Sequence, residues 1–157
     1  MPLLRILVDG YSLLHGWPEI APGKARHSAA ARDELIHVLT RYRDAISTPI
    51  TIIFDGSRAP SGTPKAVSSP EMEILYSGPG NTADDLIERA AYRMKDYGEV
   101  MVVTDDYAER DTVINFGASA ASCTNFIAMV HSALNDLDTD VENHNRRELH
   151  RFKNAGR

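Results

Sequence analysis

An aspartate follows each of four apolar runs in this chain. Asp9 closes "ILVDG", Asp55 closes "IIFDG", Asp84 and Asp85 come shortly after "MEILY", and Asp105 and Asp106 close "VVTDD". Carboxylates are hard oxygen donors, and all-oxygen sites suit Mg²⁺ or Mn²⁺. If the runs are parallel strands, their carboxyl ends share the sheet edge where ligand crevices form, and acids distant in sequence converge there. Carboxylates packed together repel, so such a cluster persists when some are protonated or when cations sit among them. Two ions about 4 Å apart can activate water and stabilise the leaving oxygen of a phosphodiester, as in metal-dependent nucleases. Each acid also has a purely structural reading. Asp9-Gly10 and Asp55-Gly56 are turn pairs, Asp84 and Asp85 suit a helix N-terminus, and Asp105 or Asp106 can cap the next helix. Recurrence after four consecutive runs favours a shared site.

The elements that must position these acids are legible as patterns. Leu3–Val8, Ile50–Phe54, Met72–Tyr76 and Val100–Thr104 are short, Val/Ile/Leu-rich runs. The second and fourth are nearly continuous in hydrophobicity, which suits strands buried on both faces of a parallel sheet. The third alternates slightly and fits a position nearer an edge. Helical spacing is present over Ala29–Ile46, over Thr82–Tyr97 with Thr82 as N-cap and Asp85 completing a capping box, and over Ser122–Leu137 with an extension toward Leu149. Thr104–Gly117 reads as a short helix and a loop. Alternating strands and helices predict βαβ units, a mostly parallel sheet with helices on both faces. The Gly-, Pro- and Ser-rich stretch Gly56–Pro70 has no periodicity and reads as a long mobile loop, of a length that is often functional.

The chain has 157 residues, a size that fits one domain spanning 1–157. It contains no apolar stretch approaching the roughly 18 residues needed to cross a bilayer, and its first apolar run stops at Asp9, too soon for a signal peptide. One cysteine, Cys123, excludes an internal disulfide framework and a multi-cysteine zinc site, and a reducing cytoplasmic setting is the simplest expectation. A net charge of −5 weighs against simple electrostatic nucleic-acid binding, unless bound cations reverse the local sign. The basic segment from about residue 138 onward, which includes Arg146 and Arg147, reads either as a solvated helix end with a frayed tail or as a polyanion contact. No GxxxxGK[ST] loop is present, which disfavours a small-phosphate transferase.

The segments "ILVDGYSLLHGWPE", "IIFDG", "YSGPGNTADDLIERAA" and "VVTDDYAERDTVINFGASAAS" resemble, in order and spacing, the YacP-like NYN domain ribonucleases of the PIN-like nuclease superfamily. The resemblance runs from about Leu3 to about Val130. It implies a three-layer α/β/α PIN-like fold with a mostly parallel central sheet, and divalent-metal-dependent endoribonuclease activity. It places the catalytic, metal-holding acids at Asp9, Asp84 and Asp106, with Asp55 as a further metal ligand. Ser12, Asp85, Thr104 and Asp105 would then support or cap, Ser12 standing where the family usually has asparagine. Expected partners are single-stranded RNA and the ribosome, with Mg²⁺ or Mn²⁺ as one or two bound ions. Tyr11 and Trp17 are candidates to stack on bases or else to pack in the core, and Arg58, Lys65, Arg146 and Arg147 are candidates to meet the phosphate backbone. The rival expectation is a non-catalytic RNA- or ribosome-binding module, motivated by Ser12 and by few cations after Gly117.

Overall fold

The computed structural model describes residues 3–57 and 68–155. Five parallel strands form one sheet in the order β3-β2-β1-β4-β5. They are β1 (Leu3–Asp9), β2 (Ile50–Phe54), β3 (Met72–Tyr76), β4 (Glu99–Val103) and β5 (Ser119–Ala121). Helices α1 (Gly10–His15), α2 (Ala29–Ile46), α3 (Ala83–Met94), α4 (Tyr107–Asn115) and α5 (Cys123–Ala155) connect and follow them. The expected parallel α/β architecture is present, and β3 lies at an edge.

Alternation along each strand splits the apolar side chains between two faces. Ile6, Val8, Ile50, Ile52, Phe54 and Val103 join Leu35 and Leu39 of α2 and Phe126 and Val130 of α5 in one cluster. Leu7, Ile53, Val100 and Val102 join Ile87 and Ala91 of α3 and Val113 of α4 in the other. Three layers result, with β2 and β4 buried between them, as their near-continuous hydrophobicity requires.

Three features depart from the sequence pattern. Helix α1 begins directly at Gly10, because Asp9 caps it through the Ser12 amide, which donates to its side chain at 3.3 Å. Strand β5 has three residues, too short for periodicity to reveal, and pairs with β4. Helix α5 runs unbroken through the region read as a frayed tail. At 33 residues it is about 50 Å long. Its first half packs on the sheet through Phe126, Ile127, Val130 and Leu134, whereas Asn135 to Arg147 are exposed. No helix among the described residues is long and apolar enough to cross a membrane.

Candidate active site

The chain runs outward from the sheet centre in both directions, from β1 to β2 and β3 and then from β4 to β5. The switch falls between β1 and β4, the position where open parallel sheets form ligand crevices. A cavity of about 440 Å³ opens there, lined by Asp9, Tyr11, Ser12, His15, Asp55, Thr82, Ala83, Asp84, Asp105 and Asp106. Five carboxylates from three strand ends and the start of α3 therefore share one space, and none of these lining side chains is a lysine or arginine.

Local structure explains how each acid is held. Asp9 caps α1, and Asp106 caps α4 by accepting from the amides of Ala108 (3.0 Å) and Glu109 (3.3 Å). Buried Thr104 steadies that turn, its hydroxyl oxygen accepting from the Asp106 amide at 3.2 Å. Asp55 accepts from the Ser57 amide and hydroxyl at 3.1 and 2.7 Å, and from the Ser77 hydroxyl at 3.3 Å. Asp85 completes the capping box with Thr82 that the sequence predicts. Asp105 turns to the next helix, accepting from the Cys123 amide at 2.8 Å. Ser12 ties these loops together, its hydroxyl oxygen accepting from the Asp105 amide at 3.1 Å.

Gly10 and Gly56 serve close approach as well as turning. A side chain on Gly10 would enter the Phe54 ring, and one on Gly56 would strike the Ser77 carbonyl. Both glycines follow a site aspartate, so they let neighbouring strand ends close up around the cavity.

The charge is concentrated. Burial raises the Asp84 carboxyl above its ordinary range, and the neighbouring Asp106, Glu88, Asp85 and Asp55 raise it further. Behind it lies Glu109, 3% exposed, its Oε1 buried without a hydrogen-bond partner. Burial, the adjoining Glu88 and the charge of Asp84 push Glu109 up to about 9. Burial likewise pushes the Cys123 thiol up to about 12, so it stays a neutral thiol beside Ser12 and Asp105.

Glu88, Glu109 and His15 are site features to which the sequence reading assigns no role. Glu109 is three residues after Asp106, where a helix glutamate is ordinarily solvated, and only the packing of α4 against α3 inverts that.

Among the described residues, no three His, Cys, Asp or Glu side chains form a group that could hold a metal ion as they stand. Asp9, Asp84 and Asp106, the acids expected to hold the metal, and Asp55 beside them all line the same cavity. Backbone and hydroxyl donors hold Asp9, Asp55 and Asp106 at their own strand ends, and mutual repulsion opposes closer approach.

Of the two readings of the aromatics, base stacking is corrected and core packing holds. Tyr11 and Trp17 are 2% and 3% exposed, so neither offers a face to a base. Tyr11 packs against Phe54 and His27 and accepts a 3.1 Å hydrogen bond from Arg32, while Trp17 packs edge-on to His131. Arg146 and Arg147 are exposed on α5. They follow Cys123, whose amide donates to Asp105, by more than twenty helical residues, about 35 Å along the helix axis, so they do not join the acids. Arg58 and Lys65 lie outside the described residues.

A family model described as "YacP-like NYN domain" matches residues 6–155. The chain is 27% identical over 128 residues to "Uncharacterized protein YacP" of Bacillus subtilis (strain 168), an alignment that covers 81% of this chain and 75% of that one. The crystal structure of Rae1 (YacP) from Bacillus subtilis matches with a TM-score of 0.76 at 26% identity, over 90% of this chain and 80% of that one. A mutant form of the same protein matches with a TM-score of 0.75 at 24% identity, over 89% and 82% of the two chains.

Proposed function

Because the chain belongs to the YacP-like NYN domain family, whose NYN domains are generally nucleases, we propose that it is a divalent-cation-dependent endoribonuclease acting on single-stranded RNA. The observation that supports this most is the shared cavity of Asp9, Asp55, Asp84, Asp105 and Asp106, whose lining has no lysine or arginine among the described residues. A phosphodiester cannot approach five carboxylates unless cations offset their charge.

The donor set fits such an ion in a specific way. Every strong ligand is a carboxylate oxygen, and Mg²⁺ commonly keeps several waters while using one or two carboxylates plus substrate phosphates. A preformed three-acid cage is therefore not needed, and pairs drawn from Asp9, Asp84 and Asp106, with Asp55 alongside, would hold it. When bound, the ion polarises the phosphate and makes water a better nucleophile near neutral pH.

The protein's own groups do the rest. Asp9, Asp84 and Asp106 attract the cations and fix their place against the phosphate. Thr104 and Ser12 hold the loops so that these carboxylates keep facing the cavity. The expected partners are RNA and, as the setting that presents it, the ribosome in the cytoplasm.

Asp9→Asn and Asp106→Asn should each lower Mn²⁺-dependent cleavage of single-stranded RNA by at least about a hundredfold while the far-ultraviolet circular dichroism stays unchanged. Full cleavage by either folded variant would sink the assignment. Binding that survives EDTA, with no products after long incubation of the wild-type protein, would instead establish a non-catalytic RNA-binding module.

A further inference from the structure

With Tyr11 and Trp17 in the core, the RNA reading lacks a base contact, yet an exposed aromatic residue directly follows the cavity-lining Asp106. Tyr107 follows Asp106 directly, opens α4 and is 78% exposed. Arg110, three residues along the same helix, holds its guanidinium carbon 4.2 Å from the Tyr107 ring centre. That arginine makes no ion pair among the described residues, and its buried Nε has no hydrogen-bond partner. Its charge is thus spent on the ring and not on a neighbouring carboxylate, although Asp106 and Asp111 are close in sequence.

An arginine laid over one face of an aromatic ring rigidifies it and leaves the other face to solvent. The other exposed rings among the described residues do not offer this beside the acids. Tyr92 is packed edge-on by Phe116 and capped by Lys95, in a separate groove with Glu88 and Arg89. Tyr97 lies past the far end of α3, more than a dozen residues from Asp84, about 20 Å along the helix direction.

We propose that Tyr107 and Arg110 form a nucleotide subsite next to the acidic cavity. A base of single-stranded RNA stacks on the open face of Tyr107, and the guanidinium of Arg110 meets the adjoining phosphate. The subsite supplies positive charge beside a cavity whose described lining has none, and it fixes which phosphodiester lies over the acids. This inference rests on the ribonuclease reading for its ligand class, but its residues are separate from the acids that reading requires.

The test is fluorescence anisotropy with short single-stranded RNA in Ca²⁺, alongside Mn²⁺ cleavage kinetics, for the wild-type protein, Tyr107→Phe, Tyr107→Ala and Arg110→Gln. A series of oligonucleotides carries one abasic nucleotide at successive positions. Tyr107→Ala should weaken binding on the order of tenfold, whereas Tyr107→Phe stays within about twofold of wild type. One abasic position should erase the difference between wild type and Tyr107→Ala, a result that a purely structural role for the ring cannot produce. Arg110→Gln should lower the salt dependence by about one phosphate contact. Equal affinities of wild type and Tyr107→Ala across the whole series, with RNA cleavage intact, would overturn the subsite and leave the nuclease reading standing. Failure of the wild-type protein to bind or cleave RNA would overturn both.

Discussion

Glu109 shows how far a single residue can depart from what its type suggests. Placed behind Asp84 and Asp106 and facing Glu88, its carboxyl is held in the protonated form at neutral pH. The folded state therefore binds a proton that the unfolded chain releases in the ordinary carboxyl range. The stability that this proton supplies is fully present below that range and is lost as pH rises toward about 9. Glu109→Gln keeps the shape and removes the titration. It should match wild type near pH 4 and grow progressively more stable than wild type in urea unfolding as pH rises to about 8.5. Parallel pH profiles for the two proteins would contradict a buried, proton-holding Glu109. Neither the burial nor the pairing can be read from "DYAE", because both depend on α3 and α4 lying side by side. Asp9, Asp55 and Asp106 were legible as strand-end acids and Asp84 as a helix-start acid, because those patterns are local.

Among the elements, the connection between α1 and α2 has no regular structure to stabilise it, and Arg26 supplies the missing ties. Its guanidinium donates to the carbonyls of Leu14, Trp17, Ile20, Ala21 and Lys24 at 2.7 to 3.2 Å. Two of those bonds go to the end of α1 and the turn after it, so the same side chain holds α1 in place under Asp9. It also retains Ala21, whose φ of 47° is otherwise unfavourable for a residue with a side chain. Arg26→Met should cost about 2 kcal/mol of unfolding free energy and increase proteolytic nicking in the 16–28 segment. A variant as stable and as protease-resistant as wild type would show that other contacts order this connection. No sequence pattern announces five carbonyls converging on one side chain, since loop geometry creates them. The main helices and four long strands were legible because amphipathic spacing and capping are encoded within each segment. Helix α1 and the three-residue β5 were not, being shorter than one hydrophobic repeat.

For the molecule as a whole, five acids around one cavity make the ion-free protein work against its own charge. Anything that binds this arrangement and not the unfolded chain must stabilise it. Millimolar Mg²⁺ or Mn²⁺ should raise the thermal midpoint of the wild-type protein by several degrees, about what 1–2 kcal/mol gives at this size. Asp84→Asn should raise the midpoint in EDTA, by removing a half-buried and repelled charge, and should shrink the gain from the cation. A wild-type midpoint indifferent to either cation would refute binding at this cavity.

By itself the sequence determined the layered α/β plan, the strand-end aspartates and the family pattern, because hydrophobic period, capping and motif spacing are written in consecutive residues. Tertiary structure alone decided the rest. It sent Tyr11 and Trp17 inward, left Tyr107 outside under Arg110, carried Arg146 and Arg147 away along α5, and enclosed Glu109 with Glu88. Those outcomes turn on which faces of separate elements meet, and burial, distance and shared charge exist only between segments that the chain itself keeps far apart.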